Sequence, residues 1–359
     1  MSSVVHLAPA SRPVQKPRLG LLGTGVVGTA FVARYQRLQQ ANATLPAFAW
    51  LANSRALRDC MGAPAQALEN ARASLADASG QPSWSEVDAL GRGDVLVDAT
   101  ASDSVADRHP HWLARGVHVV TANKLGSGGA LGRASAIVEA VQASGAHYGD
   151  SATVGAGLPL LRSLRALVAG GDRIHRLEGV LSGSLAWLFN HYDGVRPFSG
   201  LVREARDAGY TEPDPRLDLS GEDVRRKLLI LARAAGLSLS AEEVRVETLV
   251  PAELAALPIE ALDGALELLD APLSTRFEQA RRNGERLRCI GHFDAEGASV
   301  GLHALPVDHP LCGGGGTDNR VAIFSDRYRD QPLLIQGPGA GAEVTAAALL
   351  DDVLGIADR

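Results

Sequence analysis

Residues 18–38 read RLGLLGTGVVGTAFVARYQRL: a short apolar run, a glycine turn, and then apolar residues at helical spacing. This order predicts a strand, a turn and a helix. Gly23, Gly25 and Gly28 form the pattern GxGxxG at the turn. The first glycine permits a tight turn, the second lets a pyrophosphate approach the backbone, and the third lets the helix pack closely on the strand. The stretch therefore predicts a dinucleotide-binding unit, with a plain glycine-rich turn as the alternative.

The alternation of strand and helix continues along the chain. Four further apolar runs alternate with helical stretches: PAFAWLAN (46–53), DVLVDATAS (94–102), GVHVVTANK (116–124) and GAHYGD (145–150). Strands that alternate with helices imply right-handed crossovers and a parallel sheet covered on both faces. We therefore predict an α/β protein with a Rossmann-type dinucleotide-binding domain over residues 18–150.

The pattern becomes irregular after residue 150. Residues 151–325 contain several helices and then three runs that are typical of meandering antiparallel strands, which predicts a second, α+β domain. Residues 326–359 add a strand, a glycine turn and a helix, and we expect this segment to return to the first domain. Residues 1–17 contain three prolines and are expected to form a flexible tail.

Composition narrows the class of partner. The chain has 35 Lys and Arg against 41 Asp and Glu, a net charge of −6, so it offers no global attraction to nucleic acid. Its three cysteines stand in no paired spacing, which is typical of a reducing compartment, and we expect a cytoplasmic protein. We find no signal-peptide core and no apolar run of about 18 residues, so we expect no membrane association.

Three residues at predicted strand ends are candidates for contacts with a nucleotide. Arg55 stands where an NAD site usually places a carboxylate and could pair with a 2′-phosphate, so we expect NADP or dual use, with a solvent-exposed arginine as the alternative. The carboxyl ends of parallel strands line the ligand crevice, so Thr100 and Lys124 should lie beside the cofactor. Lys124 could hold an anionic substrate or polarise a carbonyl, although a strand-end lysine is ordinarily only exposed.

The densest group of polar residues lies in GYTEPDPRLDLSGEDVRRKLLILARAAG, residues 209–236. Its prolines exclude a helix around Glu212 and predict a rigid loop that displays carboxylates. Ser220 is a predicted N-cap, and Asp223 and Lys227 lie four apart on one helix face. A capped helix with a surface ion pair explains these three residues but not Glu212 and Asp218. The three carboxylates and the lysine predict a polar pocket that holds an ammonium group and transfers a proton.

Signals for a hydrolytic nucleophile or a metal centre are weak. The chain lacks GxSxG, and His175, His191 and His303 are scattered. The glycine turn at 153–157 could expose backbone carbonyls to a monovalent cation, but a plain tight turn is the simpler interpretation.

Together these motifs resemble the homoserine dehydrogenases. GTGVVG, VDATAS, TANK, TVGAGLP, LSGSL, GYTEPDPRLDLSGEDVRRK and GAGAEVTAA stand in the family's order and spacing from about residue 18 onward. The GYTEPDP segment is highly specific for the family, whereas GxGxxG is not. We see no aspartokinase region and no C-terminal regulatory domain, so the chain is similar to the short monofunctional members.

The resemblance implies NAD(P)-dependent interconversion of L-homoserine and L-aspartate 4-semialdehyde, a step toward threonine and methionine. Lys227 would be the acid/base, supported by Asp223, with Lys124 near the reacting carbon and the nicotinamide. Glu212 and Asp218 would hold the amino-acid end of the substrate. The family's cofactor contacts map onto Thr24, Gly25, Val26, Thr100 and Gly341.

The resemblance also implies a quaternary structure and a cation. Family members are typically homodimers joined through the sheet of the second domain, which makes residues 151–325 the substrate-binding and dimerisation domain. Many members bind sodium through backbone carbonyls, which here would be those of Ser151, Val154, Ala156 and Leu158.

Four positions depart from the family pattern. Ser151 stands where an acidic residue is usual, Leu217 replaces an aspartate, Ala122 replaces a proline, and Leu125 replaces a second lysine. We expect these changes to alter affinity rather than the reaction.

Two other functions are considered beside this one. An aspartate-semialdehyde dehydrogenase would need a thiolate nucleophile, for which Cys312 is a distant candidate. A catalytically silent NAD(P)-sensing protein would keep the nucleotide fold but would not need Glu212, Asp218, Asp223 and Lys227.

Overall fold

Two six-stranded sheets organise the protein, which we describe from a computed structural model. The structure describes residues 17–41, 43–74 and 89–357, so residues 1–16 of the predicted tail lie outside it. The strands are β1 Arg18–Leu22, β2 Ala47–Ala52, β3 Leu57–Asp59, β4 Val95–Asp98, β5 His118–Thr121, β6 Tyr148–Gly149, β7 Ile174–Val180, β8 Val244–Val246, β9 Glu285–Asp294, β10 Gly297–Pro306, β11 Asp318–Ser325 and β12 Leu333–Pro338.

Helices surround both sheets. They are α1 Val26–Gln40, α2 Pro64–Ala73, α3 Asp103–Ala106, α4 His109–Ala114, α5 Leu125–Gly128, α6 Leu131–Ser144, α7 Leu160–Ala169, α8 Gly183–His191, α9 Phe198–Asp207, α10 Arg216–Leu219, α11 Glu222–Ala234, α12 Ala252–Ala255, α13 Ile259–Leu262, α14 Asp270–Arg282 and α15 Ala342–Ala357. Short 3-10 helices span Ser151–Thr153, Asp263–Leu269 and Pro310–Cys312. Within the described ranges, no helix is both long enough and apolar enough to span a bilayer.

The first sheet has the order β3-β2-β1-β4-β5-β6 and is parallel except for β3. Strand β1 lies between β2 and β4. The chain therefore continues from β1 to β2 toward one edge of the sheet and later returns to β4 on the other side of β1. A reversal of this kind opens a crevice at the carboxyl ends of the central strands, where open α/β sheets bind their ligands. This arrangement confirms the predicted Rossmann-type sheet and places the GxGxxG turn at the crevice.

The second sheet has the order β12-β11-β7-β9-β10-β8 and is antiparallel except for the pairing of β8 with β10. Residues of one face of the sheet pack with helix α11: Leu228 and Leu231 share a core with Val321 and Ile323 of β11. A side chain at Gly291 in β9 would contact Val224 and Leu228, so the helix lies close to the sheet. Helix α11 is therefore anchored by its apolar face, which leaves its N-terminal turn to carry the polar residues.

The C-terminal segment divides between the two sheets. Helix α15 packs in the first core, where Leu349, Leu350 and Val353 are buried with Phe31 of α1. The preceding strand does not follow it: β12 pairs antiparallel with β11, with Val321 opposite Ile335. The predicted division at residue 326 is therefore wrong for β12, because a strand joined to its neighbour by a short connection usually pairs with that neighbour.

Candidate active site

The three glycines of the first turn have three different surroundings. Gly23 has φ +103°, a conformation that favours glycine. A Cβ at Gly28 would lie 2.0 Å from the carbonyl oxygen of Gly23, so helix α1 packs directly on the turn. A Cβ at Gly25 would meet no heavy atom within 4 Å. The space at the N-terminus of α1 is therefore open to a phosphate, and the residues fit a dinucleotide.

Asn53 organises the neighbouring strand end, and sequence reasoning missed it. Its side-chain nitrogen donates to Thr24 Oγ1 at 3.0 Å, while its oxygen accepts from the backbone nitrogens of Arg55 (2.8 Å) and Ala56 (2.9 Å). An asparagine that follows a strand and precedes a turn is the signal for such a contact. The Arg55 side chain is exposed, and its one described contact is a 3.3 Å bond to the carbonyl of Arg72.

Helix α11 begins at Glu222, one residue later than a cap at Ser220 would place it. Gly221, with φ +79°, precedes its first turn, and no side chain caps it. The predicted N-cap at Ser220 is wrong, because the left-handed glycine turns the chain between Ser220 and the helix. The Ser220 hydroxyl instead donates to the Leu217 carbonyl at 2.9 Å and accepts from Glu222 N at 3.3 Å.

Three charged side chains meet at the start of α11. Lys227 Nζ lies 2.9 Å from Asp223 Oδ2, and Lys124 Nζ lies 3.1 Å from Asp223 Oδ1. Lys227 Nζ also donates to the Leu181 carbonyl at 2.7 Å. The Lys227 side chain is 10% exposed, against 36% for Lys124 and 41% for Asp223. One carboxylate thus orients two ammonium groups, of which only Lys227 is removed from solvent.

Their surroundings change the acidity of two of these groups. Burial disfavours the ammonium form and lowers the pKa of Lys227; Asp223 opposes this, and the nearby charge of Lys124 adds to the lowering. Burial would raise the pKa of the Asp223 carboxyl, but the two lysines outweigh burial and hold that pKa well below its usual range. Asp223 therefore stays ionised, and Lys227 is more easily deprotonated than an exposed lysine.

A tight contact between α5 and α11 brings Lys124 to this cluster. A Cβ at Gly128 would lie 2.8 Å from the carbonyl oxygen of Arg226 and 2.9 Å from Ile230. Arg233 donates to the carbonyl oxygens of Ser127 and Gly129, at 2.5 and 2.9 Å. Because Lys124 directly precedes α5, these contacts place it beside Asp223.

The proline-stiffened loop carries the remaining predicted residues. Asp218 in α10 accepts from the Glu212 backbone nitrogen at 2.9 Å and from Ser184 Oγ at 2.7 Å, and its charge acts on Lys227. The Glu212 residue itself is exposed. Ser184, at the start of α8, lies in the LSGSL motif, but the sequence analysis gave it no role. In the same loop, Asp214 is held by Arg216, whose guanidinium lies 2.8 Å away, so it has a structural partner.

Comparison with known proteins identifies the family. The model "Homoserine dehydrogenase" matches residues 159–354, and "Homoserine dehydrogenase, NAD binding domain" matches residues 23–149. A homoserine dehydrogenase of Paracoccidioides brasiliensis is 37% identical over 95% of this chain and 98% of its own length. This chain belongs to the homoserine dehydrogenase family. Members of this family are NAD(P)-dependent oxidoreductases that act on a CH–OH group.

Two further similarities define the extent of the match. A bifunctional aspartokinase/homoserine dehydrogenase of Zea mays is 45% identical over 72% of this chain, which spans only 29% of the length of the maize protein. A crystal structure of a Candida auris protein of unknown function superposes with a TM-score of 0.83 at 35% identity, covering 96% of this chain and 99% of the other. The similarity to the fungal proteins thus extends over both sheets.

The thiols of this chain do not form a nucleophilic centre. Cys60, Cys289 and Cys312 are all buried and free of disulfides. Burial raises the pKa of Cys60 and of Cys289 to about 12, and it also raises the pKa of Cys312. A protonated, enclosed thiol is inert. This finding argues against aspartate-semialdehyde dehydrogenase chemistry.

The predicted cation loop has an unusual backbone. Ala156 has φ +48°, which is uncommon for a residue other than glycine, and it follows Gly155 at φ +71°. Val154 and Ala156 are buried, and no backbone N–H within residues 17–41, 43–74 and 89–357 donates to either carbonyl oxygen. The Leu158 carbonyl accepts from Leu160 N at 2.8 Å. The Ser151 hydroxyl donates to Asp352 at 2.8 Å, so its side chain is already engaged.

Another predicted cofactor residue lies at the start of the last helix. Gly341 has φ +127°, and its carbonyl accepts from Thr345 N at 3.0 Å, so it precedes the first turn of α15. Within the described ranges, no group of three or more His, Cys, Asp or Glu side chains is arranged to hold a metal ion. A cation at the loop of Val154 and Ala156 would therefore depend on backbone oxygen.

Proposed function

We propose that this chain interconverts L-homoserine and L-aspartate 4-semialdehyde, a step toward threonine and methionine, with Lys227 as the proton-transfer group. The observation that carries the proposal is the buried Lys227 ammonium, fixed between Asp223 at 2.9 Å and the Leu181 carbonyl at 2.7 Å. A lysine used as a base must lose its proton near working pH, and burial favours this loss. A surface ion pair would not need such enclosure.

Each side chain has one role in this scheme. The nicotinamide cofactor, when bound, exchanges the hydride with the carbon that carries the hydroxyl. In the oxidative direction neutral Lys227 accepts the hydroxyl proton of homoserine, and in the reductive direction its ammonium returns that proton to the carbonyl oxygen. Asp223 keeps Lys227 and Lys124 aligned, and Lys124 supplies positive charge beside the reacting carbon. Glu212 and Asp218 bind the ammonium group of the substrate.

The cofactor is NADP or NAD, held by the first turn and by the carboxyl ends of β1 and β4. Gly23, Thr24, Gly25, Val26 and Gly28 would bind the pyrophosphate, because the space before α1 is open. Thr100 and Gly341 complete the nucleotide contacts. Arg55 would exchange its 3.3 Å bond to the Arg72 carbonyl for a 2′-phosphate, since its side chain is exposed.

Three further properties belong to the proposal. A sodium ion would use the carbonyl oxygens of Ser151, Val154, Ala156 and Leu158. Those of Val154 and Ala156 accept no backbone N–H from the described part of the chain. The chain would form a homodimer through its second sheet. It would act in the cytoplasm, as the three buried free thiols suggest.

The decisive assay measures NAD(P)H production with homoserine, lactate, malate and no substrate, using both cofactors. We expect production with homoserine alone, unaffected by a thiol-alkylating reagent. A protein that binds NAD(P)H but oxidises none of these substrates would be the silent sensor, and loss of activity on alkylation would favour a thiolate mechanism. Light scattering tests the dimer, and sodium-dependent thermal stability tests the cation.

A further inference from the structure

A buried carboxylate ties together the ends of two strands at the crevice. Asp98, at the end of β4, has no exposed surface. Its Oδ1 accepts from Thr100 N at 2.9 Å and from Thr100 Oγ1 at 2.7 Å. Its Oδ2 accepts from Asn123 Nδ2 at 3.1 Å and contacts His109 Nε2 at 3.0 Å. A buried carboxylate with this many donors is a stable anchor for the groups around it.

His109 extends this anchor away from the strands. It is fully buried, and its Nδ1 lies 3.1 Å from the Tyr148 hydroxyl. Nε2 faces the Asp98 carboxylate and Nδ1 faces the Tyr148 hydroxyl, so the ring joins the two groups. Asp98, His109 and Tyr148 thus form a continuous chain of contacts, which we call the Asp98 network. Neither the proposed chemistry nor the nucleotide contacts use His109 or Tyr148.

The Asp98 network contacts the segment that carries Lys124 on both sides of that residue. On one side, Asn123 bonds to Asp98 and its side-chain oxygen accepts from Leu125 N at 3.1 Å. On the other side, a Cβ at Gly126 would lie 2.1 Å from the Tyr148 oxygen and 3.0 Å from His109 Nδ1. The first turn of α5 therefore rests on the His109–Tyr148 pair.

We propose that the Asp98 network positions Lys124, with His109 and Tyr148 as positioning residues that determine where its ammonium meets Asp223. This inference rests on the role proposed for Lys124. The α5–α11 contact at Gly128 supports Lys124 from the second domain, and the Asp98 network supports it from the first. A small shift of α5 would lengthen the 3.1 Å contact between Lys124 and Asp223. Such a shift would change turnover rather than substrate binding.

The test is Tyr148→Phe, which keeps the ring and removes the hydroxyl bonds to His109 and to Ser127 of α5. We expect kcat for homoserine oxidation to fall about three- to tenfold, with KM for homoserine and cofactor within about twofold of the original values. Tyr35→Phe is the matched control, because it removes another buried hydroxyl bond of the first domain, to the Pro46 carbonyl at 2.8 Å. We expect it to lower Tm comparably and to leave kcat unchanged.

A double-mutant cycle shows whether the effect passes through Lys124. In a Lys124→Ala background, we expect Tyr148→Phe to change kcat by less than about twofold. Equal kcat in Tyr148→Phe and Tyr35→Phe, or a full additional loss in the Lys124→Ala background, would overturn the positioning role alone. Unchanged turnover in Lys124→Ala itself would overturn the role proposed for Lys124, and the positioning role with it. If Tyr148→Phe folds poorly, His109→Gln replaces it, because the glutamine retains an N–H for Asp98. We expect the same fall in kcat and the same dependence on Lys124.

Discussion

Lys227 and Lys124 bond to the same carboxylate from opposite domains, yet their surroundings differ. Lys227 projects from the buried face of α11 and is 10% exposed, whereas Lys124 precedes α5 and is 36% exposed. Burial lowers the pKa of Lys227, and the charge of Lys124 lowers it further. In the proposed function one residue type has two roles: the enclosed lysine exchanges a proton, and the more exposed lysine supplies positive charge beside the reacting carbon.

The largest expected difference between the two lysines is in turnover. We expect Lys227→Ala to lower kcat by about two to four orders of magnitude, the range for loss of a general acid/base. Lys124→Ala should cost less, about ten- to a hundredfold, because it removes charge but leaves the proton acceptor. Steady-state kinetics in both directions measures both values. Equal losses in the two variants would remove the distinction between the roles.

The second-largest effect on turnover should come from Asp223, the carboxylate that both lysines contact. Asp223→Asn removes the group that orients both lysines, and we expect kcat to fall about tenfold or more. Because Asp223 raises the pKa of Lys227, the pH at which homoserine oxidation reaches half its maximum should move downward. Glu222→Gln is the control, since its carboxylate pairs with Arg225 at 2.5 Å. A Glu222→Gln enzyme with the same loss would contradict the specific role of Asp223.

Two aspartates that precede α11 should have different roles, one in substrate binding and one in stability. Asp218→Asn should raise KM for homoserine about tenfold, because the substrate ammonium loses a charged partner. A tenfold change corresponds to a loss of about 1.4 kcal/mol in binding free energy. Asp214→Asn, in the same loop, should lower Tm and leave KM within about twofold, because Asp214 pairs with Arg216. Kinetics and thermal unfolding of both variants check this division. The reverse pattern would exchange the two assignments.

The smallest expected effect concerns cofactor choice. Arg55→Ala should raise KM for NADP about three- to tenfold and leave KM for NAD unchanged, because only NADP offers a 2′-phosphate. Arg58→Ala, from the adjacent strand β3, provides the control, since that side chain donates to the Leu57 carbonyl and to Ser74. Equal changes with both cofactors would exclude a phosphate contact at Arg55.

The first sheet could be predicted from the sequence because its signals are local. A glycine turn between a strand and a helix appears within about twenty residues, and the apolar runs repeat that unit. The strands β3 and β8 were not predicted, because three-residue strands carry too little periodicity. β12 was assigned to the wrong domain for a related reason: its sequence specifies a strand but not the partner that pairs with it.

The site was predicted less completely. Asp223 and Lys227 lie one turn apart on one helix, so their contact follows from helical spacing. The contact of Lys124 with Asp223 depends on Gly128 packing against Ile230 of another domain, and no local pattern specifies that approach. The start of α11 was misplaced because Ser220 is a common cap, whereas the conformation of Gly221 decides where the helix begins.

The most direct test of the difference between the two lysines is the pH dependence of kcat for homoserine oxidation in the original enzyme, Lys227→Ala and Lys124→Ala. We predict a single rise whose midpoint lies below about 10.4, the ordinary value for lysine, because the base must be neutral. The rise should disappear in Lys227→Ala. It should persist in Lys124→Ala with its midpoint at higher pH, because a neighbouring cation has been removed. The same rise in Lys227→Ala would show that another group accepts the proton.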